Sequence, residues 1–441
     1  MGRIQKFLLI DRTDSTKVSA FFIIAMFSLF APPFYDRLGS AGVLAIIVCT
    51  IMLCWLSISF FLRGTLPLNT TERKAIFGVF AAYFIYFLLL PVSSIIGFIF
   101  NDFSITIRDL SDIYRPVLYA SVFLLTFYSF NSKESFISLE KGLLIVFTGF
   151  VLLSVAHLVG FFDPLIAWFT KAHNVKSRRV CAPFINPYDY AFVMSFYIYY
   201  FFLKFLYKSW KFIFLLLLAL LMFVSTQSRS IAVGMLFGLV IITPAMMVLV
   251  NFRSLREFKL PKTLIKYNLL LVLSIIFFIA SVGYLIENYQ YLTYEFVKIW
   301  NNRGQEISAG STRLEQLNMA IEYATASPLN FFFGNGPAKD VMEYVESIYT
   351  FFFFRYGVVG LFTIFIIPYL IALYSLIKIL RKLSPAHPLF VFFLAAVIWL
   401  LALPVCAIGN NLTEQFRTSF LYNAFLAIVI RGRLLFTSNE T

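Results

Sequence analysis

Residues 212–250 read "FIFLLLLALLMFVSTQSRSIAVGMLFGLVIITPAMMVLV". Two apolar runs, Phe212–Val224 and Ile231–Val250, flank a short polar stretch that holds Arg229. In hydrocarbon a chain must satisfy its backbone polar groups internally, and a helix of about 20 apolar residues does so while crossing the bilayer. The stretch therefore predicts two membrane helices joined by a tight turn. So short a turn keeps the Arg229 guanidinium near the bilayer, where an unpaired charge is costly. Arg229 is on that ground a candidate for holding an anion.

The pattern recurs along the chain. Of the 441 residues 60% are hydrophobic and only 13% charged, and the mean hydropathy is +0.84. These values exclude an ordinary soluble domain. The expected fold class is all-α: a polytopic helical membrane protein, one integral membrane domain over 1–441, with about twelve transmembrane helices. The expected spans are 18–35, 41–62, 75–100, 116–130, 142–161, 188–207, 212–225, 231–250, 268–286, 349–377, 389–408 and 419–430. The fourth and twelfth are short, and the tenth is long enough to tilt or break. The first follows Lys17 without a small-residue cleavage site, so it reads as a retained span and not as a signal peptide. The four cysteines have no metal or disulfide spacing, and neither a metal nor a cofactor is expected. The net charge of +14 reads as cytoplasmic charge orienting the spans, not as a nucleic-acid surface.

With the N-terminus in the cytoplasm, most of the 36 basic residues fall on the inner side, and both termini are cytoplasmic. Two outer loops are long, 162–187 and 287–348, and the second is polar enough to hold short helices on or in the membrane face. The outer basic residues run against the orientation rule and so ask for a reason. They include Lys171, Lys176, Arg178 and Arg179 in one loop, Arg229 in the tight turn, Arg303 and Arg313 in the large loop, and Arg417 in the last. Arginines converging at one membrane face suit a phosphate or pyrophosphate, because the guanidinium fork pairs two oxygens at once. Lys171 and Lys176 read as solvated. The outer acids Asp102, Asp109 and Asp112 also read as a solvated loop.

Within the large loop stands "GSTRLEQLNMAIEYATASPLNFFFGNGP", Gly310–Pro337. Ser311 or Thr312 can cap a helix, and Leu314, Leu317, Ala320, Ile321 and Ala324 recur at helical spacing. Arg313 would then open an amphipathic helix beside free backbone N–H groups. Pro328 would end it, and Gly334-Asn335-Gly336 would turn. Further on, "DVMEYVESIY" spaces Asp340, Glu343 and Glu346 along one helix face. Glu346 stands nearest the next span, where partial desolvation would suit a general base.

Taken in order, "RRVCAPFINPYDYAFVM" (178–194), "STQSRSIAVGML" (225–236), the Gly310–Pro337 stretch and "ESIYTFFFFRYGVVGLF" (346–362) resemble the O-antigen polymerase and ligase superfamily, the Wzy and WaaL proteins. The shared pattern is a Ser-Arg opening a span, a large periplasmic loop with an arginine-led helix and a G-x-G turn, and an aromatic span with a Gly-x-x-Gly. The resemblance implies an inner-membrane glycosyltransferase of surface-polysaccharide (lipopolysaccharide) biosynthesis. Arg229 and Arg313 would hold the pyrophosphate of an undecaprenyl-pyrophosphate-linked glycan. Arg179 falls on the family's arginine ahead of its Asn-Pro motif, and Asn186, Pro187 and Asp189 fall on that motif, with Tyr188 where a second Asn usually stands. Arg178, Arg303 and Arg417 would be further binding residues for pyrophosphate or glycan. Ligases carry His-Asn where this chain has Glu346-Ser347, which favours a polymerase.

The implied reaction is metal-independent and inverting. Glu346 serves as base, with Glu343, Asp189 and Glu315 as alternatives, and arginines stabilise the departing pyrophosphate. The implied partners are lipid-linked donor and acceptor, membrane lipids and a chain-length regulator. Two other readings stay open at this stage: a ligase that transfers the chain to lipid A-core, and a transporter or flippase of an anionic or lipid-linked substrate. A transporter usually shows a repeat between its halves and charges near the bilayer midplane.

Overall fold

A computed structural model describes residues 14–32, 46–55, 70–160, 162–250, 263–268, 308–412 and 415–437. Among them the regular elements are helices. We number the principal ones α1 (Asp14–Phe30), α2 (Ile46–Trp55), α3 (Thr70–Asn101), α4 (Tyr114–Ser129), α5 (Lys133–Val159), α6 (Pro187–Tyr207), α7 (Phe212–Val224), α8 (Arg229–Val250), α9 (Ser308–Thr325), α10 (Pro328–Phe333), α11 (Ile348–Lys382), α12 (Phe390–Ile408) and α13 (Phe416–Thr437). Helices α3, α5, α6, α8, α11, α12 and α13 are long and apolar enough to cross a membrane, and α7 is a shorter apolar helix. By length and composition the chain is a multi-pass helical membrane protein.

Several boundaries differ from expectation for local reasons. Helix α5 starts at Lys133 rather than near 142, because Ser132 and Ser135 form a reciprocal capping box at its start. The last helix is not short: α13 has 22 residues. Helix α4 has only 16 residues, and most of them are buried against neighbouring helices. The expected span 268–286 lies outside the described residues apart from 268, as do parts of 41–62 and residues 287–307 of the large loop.

Helices α6 and α12 form the buried centre, and α3, α5, α8 and α11 bury one side each. The centre is aromatic: Phe192 and Trp399 stack with ring centroids 4.5 Å apart, and Trp399 Nε1 donates to the Phe192 carbonyl at 2.9 Å. Charges pin one end of the bundle. Arg431 of α13 pairs with Glu72 of α3 and donates to the carbonyls of Phe130 (3.2 Å) and Asn131 (3.3 Å) between α4 and α5. Lys204 of α6 pairs with Glu140 of α5. These are the helix ends that the charge rule assigns to one side, so up-and-down alternation carries the candidate loops to the opposite end.

Helix α11 breaks at Gly357, whose φ of 62° and ψ of −164° suit glycine almost alone. A break inside a membrane helix frees backbone groups that need partners. The Gly334–Gly336 turn supplies them: the Asn335 N–H donates to the Phe354 carbonyl at 3.0 Å and the Gly336 N–H to the Arg355 carbonyl at 2.8 Å. The turn expected from "GNGP" is thus a built-in cap for a broken helix.

Candidate active site

The turn before α8 is held by the loop that precedes α6. The Val180 N–H donates to the Ser225 carbonyl at 3.0 Å, and Arg179 donates through Nε to the Thr226 carbonyl at 3.0 Å and through Nη2 to the Gln227 carbonyl at 3.4 Å. Arg179 therefore fixes the turn that starts α8 at Arg229, whose side chain is half-buried. The next residue, Ser230, accepts from Asn410 Nδ2 at 2.7 Å just beyond the end of α12. Gly409 packs closely there: a Cβ on it would lie 3.1 Å from the Ser230 side chain and 3.3 Å from Arg313 Nη1. The start of α8, the end of α12 and the Arg313 guanidinium meet at this glycine.

Arg313 Nε pairs with Glu346 Oε2 at 2.7 Å, and the two side chains are 39% and 44% exposed. One helical turn along α9, Gln316 accepts from the Glu346 N–H at 3.0 Å and donates to the Tyr344 carbonyl at 2.8 Å. The 344–346 segment is therefore held by two residues on one face of α9. On its far side, Ser347 Oγ donates to the Ala407 carbonyl at 3.3 Å. The structure thus brings together Ser230, Arg313 and Glu346 from three distant parts of the sequence, and Arg229 is the residue before Ser230 at the start of α8. The helix differs from expectation in one respect. It starts at Ser308, so Arg313 lies in its second turn, not beside its free N–H groups. Pro328 also does more than follow the helix, because it opens α10 with Ser327 as cap.

The other sequence candidates go elsewhere. Arg417 is buried and donates to the Pro183 carbonyl and, at 2.5 Å, to the Ala31 carbonyl, fastening α13 to the loop before α6 and to the end of α1. Asp189 is fully buried and accepts from Thr418 Oγ1 at 2.9 Å and from Asn186 Nδ2 at 3.4 Å. Both are sealed from a bulky glycolipid and act as pins between helix ends. Arg178 is exposed, pairs with Asp163 and donates to the His157 carbonyl at 3.3 Å, closing the end of α5. The hydrogen bond from Arg178 holds the Asp163 carboxyl below its ordinary range. Glu343 pairs with Arg108, and Glu315 is exposed on α9. Arg303 lies outside the described residues.

One cluster escaped the sequence reading. Asp112 is buried and faces three cations: Lys339 Nζ at 2.8 Å, Arg115 Nε at 3.4 Å and Arg355 Nη1 at 3.5 Å. Burial pushes its carboxyl up, but Arg115, Arg355 and Lys339 together bring it below the ordinary range. Asp109 is also buried and accepts from the Lys339 N–H at 3.0 Å. Expected as a solvated loop, Asp109 and Asp112 are instead the counter-charges of a buried network, while Asp102 is exposed. Arg355 also donates to the carbonyls of Met342 (3.3 Å) and Glu343 (3.2 Å), bracing the segment that leads to Glu346. The signal was in "TFFFFRYG": an arginine inside an apolar run requires a buried anion, and the nearest outer acids were the candidates.

No protein-family model matches the sequence, and no curated protein matches it. Among the described residues no group of His, Cys, Asp and Glu could hold a metal ion. Chemically, the half-exposed pair offers a planar two-donor cation beside a carboxylate, at the level where α12 ends and α8 begins. That suits a phosphorylated group on Arg313 and a hydroxyl on Glu346.

Proposed function

We propose that the chain is a membrane glycosyltransferase that uses a polyprenyl-pyrophosphate-linked donor, and within that class an O-antigen or related surface-polysaccharide polymerase. The observation that carries this reading is the Arg313–Glu346 pair at 2.7 Å, set against the start of α8. In this proposal the chain has about twelve spans in the bacterial inner membrane, with both termini cytoplasmic and the site on the periplasmic face.

Arg313 and Arg229 take the donor pyrophosphate, and Glu346, released from Arg313 as phosphate oxygens replace it, accepts from the acceptor sugar hydroxyl. The hydroxyl oxygen attacks the anomeric carbon of the donor glycan and the proton passes to Glu346. The bond from that carbon to the pyrophosphate oxygen breaks, its electron pair leaves on undecaprenyl pyrophosphate, and configuration inverts. The arginines stabilise the charge that develops on the leaving group without a metal. Of the three histidines, His157 is buried with Nε2 3.2 Å from the Asn174 carbonyl and His387 sits in the loop between α11 and α12. His173 lies in the loop before α6, so none stands at the ligase position.

The test is a glycan ladder from cells that carry Arg229→Ala, Arg313→Ala or Glu346→Gln in place of the wild type. Lipid A-core bearing a single repeat, with no ladder and normal protein level, is the expected result. A normal ladder would overturn the assignment. Long polymer retained on undecaprenyl pyrophosphate, with bare lipid A-core, would identify a ligase instead.

A further inference from the structure

Helix α9 presents three stripes rather than the two of an ordinary amphipathic helix. At 100° per residue, Gln316, Ala320, Tyr323 and Ala324 face the protein, and the two alanines are fully buried. Leu314, Leu317 and Ile321 form a second stripe and are 59%, 39% and 45% exposed. Glu315, Asn318 and Glu322 form a third, also exposed. A helix at a simple protein–water boundary has no use for the second stripe. A helix at the boundary of protein, hydrocarbon and water needs all three.

Helix α10 lies deeper. Ser93 of α3 donates to the Phe333 carbonyl, Gly336 packs against Ser94, and Asn335 packs against Gly97. Asn101, at the end of α3, donates to Asn335 Oδ1 at 2.7 Å and to the Tyr323 carbonyl at 3.4 Å. At a rise of about 1.5 Å per residue, Ser93 lies about 12 Å below Asn101 along α3. The intervening turns of α3 carry exposed Ile95, Phe98 and Ile99. Leu329, Phe331 and Phe332 of α10 are likewise exposed at this level, continuing that apolar surface. The polar groups here are satisfied internally: Asn330 Nδ2 donates to Asn335 Oδ1 at 2.6 Å, and Asn335 Nδ2 to the Phe354 carbonyl at 3.1 Å. Irregular backbone at membrane depth requires this, and a water-exposed loop does not.

We propose that α9 and α10 form a re-entrant shelf in the outer leaflet. Bilayer hydrocarbon covers Leu314, Leu317, Ile321, Leu329, Phe331 and Phe332, while Glu315, Asn318 and Glu322 face water. The outer leaflet follows from the orientation proposed above, whereas the contact with hydrocarbon does not depend on the reaction.

The experiment places a nitroxide label in turn at Leu317→Cys, Phe331→Cys and Glu322→Cys in protein carrying Cys54→Ala, reconstituted in lipid nanodiscs. Cys54 is the exposed native thiol, and Cys49, Cys181 and Cys406 are buried. The expected result is an oxygen-to-nickel-complex collision ratio several-fold higher at 317 and 331 than at 322. The three positions are exposed, an unchanged melting temperature verifies the fold of each labelled variant, and position 322 controls for labelling. A higher nickel-complex accessibility at 317 and 331 would put the shelf in water and overturn the inference. Exclusion of both reagents there would mean that protein covers the face, which overturns it equally. A uniformly oxygen-rich helix would refute the three-stripe orientation.

Discussion

Substituting Asp112→Asn removes the one carboxylate that Lys339, Arg115 and Arg355 share, at 2.8, 3.4 and 3.5 Å. The cations stay where they are, and Arg355 is fully buried. Breaking a buried ion pair from one side costs about 3–5 kcal/mol, against a total stability of about 5–15 kcal/mol for a typical domain. The variant should therefore unfold at a clearly lower temperature at neutral pH, measured on purified protein in detergent or nanodiscs. The pH dependence has a definite sign. The cations hold the folded carboxyl below its ordinary range, so the folded state binds this proton less readily than the unfolded chain. Its contribution is fully present above about pH 4, the unfolded value, and is lost as pH falls through the lower folded value. The gap between wild type and variant should hold from neutral pH to about pH 4 and close in more acid solution, where the wild-type carboxylate is protonated too. Equal melting at neutral pH, or a gap that stays constant into strong acid, would refute the network as described.

Gly357→Ala puts a Cβ 2.5 Å from the backbone of Phe332 and forces a non-glycine residue to φ 62°. A loss of about 3 kcal/mol or more is expected, read as a lower melting temperature, and an unchanged temperature would mean that α11 does not break there. Arg417→Lys keeps the charge but loses the fork to the Pro183 and Ala31 carbonyls. It should lower the melting temperature, by about 1–3 kcal/mol of stability, while the surviving protein keeps its turnover; lost turnover at full stability would restore Arg417 to the substrate site.

The membrane class and the places of the seven long apolar helices were legible because they depend on apolar run length, a property local to each segment. Glu346 and Arg313 were legible as candidates but not as a pair, since 33 residues and two intervening turns separate them. The loop 334–336 looked ordinary because its task, completing the hydrogen bonds of a helix broken at Gly357, appears only when the two segments touch. Composition misled at Asp109 and Asp112: acids in a short polar loop read as solvated unless an arginine elsewhere needs them. Arg417, put forward by its place in an outer loop, and Asp189, put forward by the resemblance, are buried, with backbone carbonyls and a neighbouring hydroxyl as partners.

An arginine at a membrane face has either a structural or a substrate role, and what decides is how many of its donors the fold already uses. Arg417 and Arg355 are buried and spend their donors on carbonyls and on Asp112. Arg313 keeps its side chain 39% exposed and commits Nε to a carboxylate that is itself 44% exposed. An exposed pair of this kind contributes little to stability, about 0–1 kcal/mol, so exchanging its partner for a phosphate costs the fold little. The rigid parts surround it: Gln316 holds the Glu346 backbone, Arg355 braces the segment behind it, and Gly409 admits the guanidinium to the start of α8. A weak pair on a stiff frame can open for an anion without unfolding its surroundings. Arg108–Glu343 and Arg178–Asp163 are exposed pairs as well; what sets Arg313 and Glu346 apart is that the Arg313 guanidinium also reaches Gly409 and the start of α8.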